Sequence, residues 1–334
     1  MRLRIDLAYD GTGFRGWARQ PGLRTVQGTL EAAVARLLGG DPQLVVAGRT
    51  DAGVHASAQV AHLDLDAGQL ERLAKARNPV PSALAPRLNG VLGQYPDLAV
   101  QAVDTAPEGF DARFSAVWRR YRYRIADRLT GYDPLERART TSVNASLDVG
   151  AMDAAARGLR GLHDFAAYCK PREGATTIRT LLEFDWHRDA DGAVVANVKA
   201  DAFCHSMVRA LVGGCVAVGQ GRLNPDHLVE IRDALTRVNE VKVLAARGLT
   251  LTEVGYPADD LLAQRAELDL LRDFTRHPFA DITVPQRVEE VARSAAGGRR
   301  APGDGRDARP QLERAHAGAA GRADRRAAPH RLPR

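Results

Sequence analysis

The sequence predicts an α+β fold: two similar-sized mixed domains with antiparallel sheets flanked by helices, followed by a C-terminal extension. Three observations predict it. Segments with two-residue alternation of apolar and polar side chains are interleaved with a few segments of helical spacing in each half. The 334 residues, 45% hydrophobic and 26% charged, suffice for about two domains. From Ala295 onward the composition no longer supports a core. The expected divisions are an N-terminal domain over 1–105, a second domain over 106–260 and an extension over 261–334 that is Arg-rich and disordered from about 295.

Leu3, Ile5 and Leu7 alternate with Arg4 and Asp6, giving a half-buried first strand, and 11–16 reads as a glycine-bearing loop. Val26, Leu30, Ala33, Val34, Leu37 and Leu38 share one face at helical spacing; Thr25 is placed to cap that helix and Gly39 and Gly40 to end it. Short strands follow at 44–47, 60–65 and 98–103, with the proline-bearing stretch 78–86 between the last two. In the second half, 120–126 alternates, with Tyr121, Tyr123 and Ile125 on one face and Arg120, Arg122 and Arg124 on the other. Strands are also expected at 181–186, 194–200 and 249–254, and helices at 153–162, 205–218 and 227–235. After Tyr256 and Pro257 the strand pattern stops, which places the end of the ordered fold before Ala295.

Charge needs to be apportioned before it is interpreted. Lys and Arg number 47 against 41 Asp and Glu, an excess of +6, but the stretch from Ala295 holds ten Arg against four acidic residues and accounts for all of it. The foldable part is formally neutral, so the basic pI carries no information about its partner. That terminal stretch has no aromatic, Val, Ile, Met or Cys residue and cannot offset chain entropy by burial, hence the expectation of disorder. Cys169, Cys204 and Cys215 are far apart and form no CxxC pair, which argues against a disulfide framework and a zinc site and for a reducing, cytoplasmic setting. The N-terminus alternates in charge and no run of about 18 uncharged apolar residues occurs, so a soluble protein is expected.

Three features can carry chemistry. In GRTDAGVH, Asp51 lies on a glycine-flanked loop between two strands; it is either a turn residue bonding its own backbone or a carboxylate presented into a cleft. From Ala202 to Gly221 the only formally charged residue is Arg209, inside an apolar helical run. Desolvating a guanidinium costs several kcal/mol unless a carboxylate meets it, so Arg209 calls for an acidic partner, with Asp51 one candidate; a snorkelling Arg or a structural ion pair is the bland alternative. The third is 113–128, with six Arg and one Asp interleaved with Phe114, Trp118, Tyr121 and Tyr123, a pattern that suits phosphate contacts beside base stacking or a solvated edge strand. No P-loop, GxGxxG after a strand, HExxH or GxSxG is present, so no nucleotide cofactor or metal is expected. His55, His62, His163 and His205 match no ligand spacing and read as satisfied structural histidines.

Four stretches in order, YDGTGFRGWARQ with TVQGTLE, AGRTDAGVHASAQVAH, FDARFSAVWRRYRYRI and KADAFCHSMVRALVG, resemble the tRNA pseudouridine synthase A family, and GLHDFAAYCK and TTIRTL add to the agreement. The resemblance covers about 3–257 and departs from the family pattern at 78–85, which is longer than the family needs. It implies the pseudouridine synthase fold with a central basic cleft, an Asp51 nucleophile, a Tyr121 that lies against the target uracil and can act as a base, and an Arg209 that pairs with Asp51. It further implies substrate contacts from Arg49, Arg119 and Arg120, no cofactor, a homodimer, and action on the anticodon arm of tRNA at uridines 38, 39 and 40. Two other readings of the same residues are a non-catalytic RNA-binding protein, which would need Arg120 and Tyr121 but not Asp51, and a nucleoside glycosidase, which would release free base.

Overall fold

Strand β1 (Arg2–Tyr9) buries Leu3, Ile5, Leu7 and Tyr9 on one face and leaves the alternate residues half-buried, as its period of two requires. The computed structural model describes residues 1–172, 176–265 and 267–268; the expectation of a disordered tail lies outside them. Helix α1 (Val26–Leu38) starts at Thr25, whose hydroxyl accepts from the Gly28 N–H, and ends at Gly39 with φ +71°. It packs Val26, Leu30 and Val34 onto the sheet, each large aliphatic contributing about 1.5–3 kcal/mol of burial. Its buried Glu31 accepts the Leu44 N–H at 3.0 Å and so fixes β2 (Leu44–Val46) beside the helix.

Strand β3 (His55–Asp64) begins five residues earlier than apolar alternation predicts, because the His55 ring is held at both nitrogens: Gly11 N–H donates to Nδ1 and Nε2 bonds the Arg247 carbonyl, each at 3.0 Å. Helices α2 (Ala67–Ala74) and α3 (Leu84–Leu92) are absent from the pattern-based reading. The first is only eight residues long and depends on an Asp66–Gln69 capping box. In the second, Pro86 sits in the first helical turn, where its missing N–H costs nothing, and Leu84, Leu88 and Leu92 form the buried stripe. Strand β4 (Leu98–Thr105) completes this half.

The second half contributes β5 (Trp118–Ala126), β6 (Thr141–Ser142), α4 (Val149–Gly158), β7 (Gly161–Asp164), β8 (Ile178–Arg188), β9 (Val194–Ala200), α5 (Met207–Gly219), α6 (Pro225–Asp233) and β10 (Leu249–Gly255). Helix α4 lies four residues upstream of its expected position, capped by Asp148. The glycine at 161, with φ +113°, turns the chain out of helical geometry into β7. Among the described residues ten strands form one mixed sheet, ordered β4-β1-β3-β10-β5-β9-β8-β7, with β2 on β3 and β6 on β5. Neighbours are antiparallel except at β10–β3 and β5–β6. The last strand inserts at the centre, parallel to β3 through Thr250 and Leu251 and antiparallel to β5, so strands from both halves share one ladder.

One cysteine expectation is corrected. Cys169 and Cys204 form a disulfide, their Cα atoms 5.7 Å apart. The β8–β9 hairpin folds the chain back so that the residues before and after it become neighbours, a proximity that spacing along the sequence does not reveal. Cys215 is a buried thiol, pushed up to about 12 by burial. Among the described residues no helix is long and apolar enough to cross a membrane.

Asp127, at the end of β5, is fully buried and accepts from the Leu129, Thr130 and Leu147 N–H groups and from Arg188. Burial alone would raise its carboxyl, but the Arg188 guanidinium and the backbone donors outweigh it and hold the group far below its ordinary 3.8. A folded-state value below the unfolded one stabilises fully above the unfolded value and loses its effect as pH falls through the folded one. Asp127→Asn is expected to cost about 3 kcal/mol at neutral pH. In urea denaturation across a pH series, the gap between wild type and variant should narrow progressively below 3.8.

Candidate active site

The loop between β2 and β3 carries Asp51 and is pinned from beneath. Tyr9 Oη and Thr50 Oγ1 lie 2.8 Å apart, and Gln59 Nε2 donates to Tyr9 Oη at 3.2 Å and to the Gly48 carbonyl at 2.9 Å. Burial pushes the Tyr9 phenol up to about 12, so it stays neutral and serves the network as a hydrogen-bonding group. From the side, Trp17 N–H donates to the Thr50 carbonyl at 3.0 Å and Gly53 N–H to the Phe14 carbonyl at 3.3 Å. Gly16, at φ +94°, lies so close that a Cβ there would stand 3.0 Å from the Thr50 carbonyl oxygen. The loop is thereby rigid at its base, and the Asp51 side chain at its tip remains one-third exposed.

Arg209 reaches this carboxylate from the first turn of α5, Nη1 to Oδ2 at 3.5 Å. A cation at the positive end of a helix is disfavoured by the helix dipole, so a carboxylate opposite it is the needed compensation. The rest of the guanidinium is positioned by the segment after α6: Nε donates to the Leu244 carbonyl at 2.6 Å, and the Leu244 N–H returns a bond to the Arg209 carbonyl at 3.2 Å. That segment runs tightly against the helix, because a Cβ on Gly213 would come within 1.8 Å of the Lys242 carbonyl oxygen. Tyr123 Oη donates to the Ala245 carbonyl at 2.8 Å and ties the same segment to β5.

Tyr121, on β5, lines the same cleft and packs edge-on against Phe203, ring centroids 5.1 Å apart. Burial, with the nearby Tyr9 and the Asp51 charge acting in the same direction, pushes its phenol well above the ordinary range. Arg49 is exposed at the cleft wall. Arg119 also lines the cleft, but its guanidinium is taken up by backbone carbonyls, those of Ala47 at 2.7 Å, Asp201 at 2.8 Å and Arg113 at 2.9 Å. Arg120 points the other way. Strand alternation puts it on the face opposite Tyr121, where Glu183 at 2.5 Å and Glu253 at 3.1 Å hold it, and it is not part of the cleft wall. Of the six residues singled out from the sequence, the fold brings Asp51, Arg209, Tyr121, Arg49 and Arg119 together and leaves Arg120 outside.

The cleft has a volume of about 1280 Å³, more than a small-molecule pocket needs. Among the described residues, further arginines at 15, 113, 172, 179 and 265 line it beside two carboxylates, Asp51 and Asp201, which suits a polyanion. Phe114 lies at its wall beneath the Arg113 guanidinium, 4.7 Å from ring centroid to charge, a surface on which a base can stack. His205, read from the sequence as structural, is instead a cleft residue with Nε2 3.6 Å from Asp51 Oδ1. The available signal was its place four residues before Arg209 in a stretch otherwise lacking polar charge.

A family model described as tRNA pseudouridine synthase matches residues 155–257, the span that holds Arg209 and β10. The chain is similar to tRNA pseudouridine synthase A of Leifsonia xyli subsp. xyli, 60% identical over 274 residues that cover 80% of this chain and 95% of the relative. The proteins of that name from Frankia casuarinae and Cutibacterium acnes are 55% and 51% identical, covering 80% and 79% of this chain and 94% and 92% of theirs. The chain belongs to the tRNA pseudouridine synthase A family. It is therefore an isomerase, and its cleft holds the Asp51 carboxylate 3.5 Å from the Arg209 guanidinium among further arginines.

Because Asp51 is partly solvated, removing Arg209 does not strand a sealed charge, which would cost about 3–5 kcal/mol. The principal loss is the bond to the Leu244 carbonyl. Arg209→Ala is expected to lower stability by about 1–2 kcal/mol in urea denaturation while removing most activity. A loss as large as that of a sealed pair would contradict the open geometry.

Proposed function

We propose that this enzyme isomerises uridine to pseudouridine at positions 38, 39 and 40 in the anticodon stem-loop of tRNAs, with Asp51 as the nucleophile on the ribose of a flipped-out uridine. The coarser activity, pseudouridine formation in tRNA, follows from the family. The observation that supports the nucleophile assignment is the 3.5 Å contact of Asp51 with Arg209 at the wall of an arginine-lined cleft, whereas the positions in the anticodon arm rest on the sequence resemblance.

The reaction breaks the bond from C1′ to N1, turns the detached uracil in place and joins C5 to C1′, so reactant and product balance without net oxidation. Extruding the base costs a few kcal/mol, which phosphate contacts and stacking must offset. Arg49 and the neighbouring cleft arginines are suited to the phosphates and the wedge, whereas Arg120 is engaged with glutamates on the other sheet face. Arg209 lies against the Asp51 carboxylate and orients it, and that carboxylate can attack C1′ directly or take a proton from C2′ to give a glycal; both routes use the same residue. Tyr121, fixed edge-on by Phe203 and kept neutral by burial, is suited to hold the detached uracil by stacking. A homodimer acting in the cytoplasm, with tRNA crossing both subunits, belongs to the same proposal.

The test uses purified protein and tRNA transcript carrying tritium at uridine C5, because closing the C5 to C1′ bond must expel that hydrogen. Wild type should release tritium and leave pseudouridine at positions 38 to 40; Asp51→Asn should abolish release while binding tRNA within several-fold of wild type. Retained turnover in Asp51→Asn would remove the nucleophile assignment, products outside the anticodon arm would remove the site assignment, and free uracil would indicate a glycosidase.

A further inference from the structure

Joining C5 to C1′ leaves C5 tetrahedral, bearing both the new bond and its original hydrogen. To finish, the C5–H bond breaks, its electron pair forms the C5–C6 double bond, and the former C6–N1 π pair takes a proton at N1 from water. A base must accept the C5 proton and pass it to solvent. At that moment C5 is bonded to C1′, so the acceptor has to lie within a few ångströms of the place where Asp51 acts.

We propose that His205 is that base, an assignment that rests on the function proposed above. Among the described residues, Arg209 and His205 lie against the Asp51 carboxylate, and Tyr121 lines the same cleft within reach of its charge. The Arg209 guanidinium has no acceptor and does not deprotonate. Tyr121 is a neutral phenol whose burial makes the phenolate harder to form, and a neutral phenol is a poor proton acceptor. The imidazole of His205 has Nε2 3.6 Å from Asp51 Oδ1, near the reacting carbon yet too far for a hydrogen bond that would commit it.

Its setting differs from that of the other histidines read as structural. Ring nitrogens of His55, His62 and His163 are bonded to backbone groups, His62 Nδ1 accepting from Ala112 N–H at 2.9 Å and His163 Nε2 meeting the Arg160 carbonyl at 2.9 Å. Among the described residues no hydrogen bond reaches the ring of His205, whose side chain is 45% exposed at the cleft wall. The backbone beneath it is nonetheless fixed on three sides. Its carbonyl accepts from Lys170 N–H at 2.9 Å, Cys204 before it is bonded to Cys169, and Ser206 after it takes a left-handed φ of +65°. A non-glycine residue in that conformation is a strain that surrounding structure must impose, and such strain concentrates where a side chain has to be aimed. An exposed imidazole on a fixed backbone, 3.6 Å from the carboxylate of the nucleophile, is placed as the step requires.

Single-turnover rates on tRNA transcripts with hydrogen or deuterium at uridine C5 test the assignment. His205→Gln is expected to slow pseudouridine formation by about 100-fold or more and to show a larger deuterium isotope effect than wild type, because C5–H cleavage becomes the slow step. His205→Ala should be impaired likewise and recover part of its rate when imidazole is added. tRNA binding within several-fold of wild type shows that each variant is folded. A His205→Gln rate within threefold of wild type overturns the proposal. So does a slow variant with the wild-type isotope effect and no response to imidazole, which would make His205 a positioning residue for Asp51. If the wild-type enzyme itself forms no pseudouridine, the proposed function fails, an outcome separable from every one of these.

Discussion

The contact between the Asp51 carboxylate and the Arg209 guanidinium constrains the whole chain, because its two members come from opposite halves of the sequence. A loop between two strands of the first half cannot meet the first turn of a helix in the second unless the strands between them are in register. Strand β10 provides that register by lying between β3 and β5 and pairing with both. The segment before β10 does a second job, since its Leu244 carbonyl anchors the Nε of Arg209 and its Ala245 carbonyl is tied to Tyr123. A single stretch of backbone thus sets both the sheet register and the direction of the guanidinium.

Electrostatics divides between the two faces of that sheet. On the face of Tyr121 the arginines outnumber carboxylates among the described residues of the cleft, and the exposed one at position 49 lies on the Asp51 loop itself. On the opposite face Arg120 and Arg124 are met by Glu183, Glu253, Asp189 and Asp191, partly exposed pairs worth little individually. The same basic strand therefore sends Arg119 to the cleft wall, where backbone carbonyls hold it, and sends Arg120 and Arg124 to the other face, where carboxylates meet them. This is how a foldable part with no net formal charge can still present a surface fit for RNA.

Much of this was legible before the fold was known. Alternation along 120–126 separates Tyr121 from Arg120 correctly, and the isolated Arg209 in an apolar run calls for a carboxylate that the fold supplies as Asp51. Less visible were features that depend on tertiary neighbours. Alternation also did not reveal that Arg120 would be spent on glutamates of β8 and β10, since those strands are distant in sequence. The Cys169–Cys204 link and the early start of β3 at His55 have the same origin, a partner brought in by folding. Short helices such as α2 escaped because eight residues with a local cap offer too few periods to read. His205 was passed over because spacing rules test for metal ligands, whereas its role depends on proximity to a single aspartate.

The central claim is that Asp51 and Arg209 act as one unit, and a double-mutant cycle on kcat/KM for tRNA measures it directly. Asp51→Asn, Arg209→Gln and the double variant should be strongly non-additive, the double variant no slower than the worse single one, as residues serving one step are. Losses that simply add would show the two side chains working independently and would contradict the account.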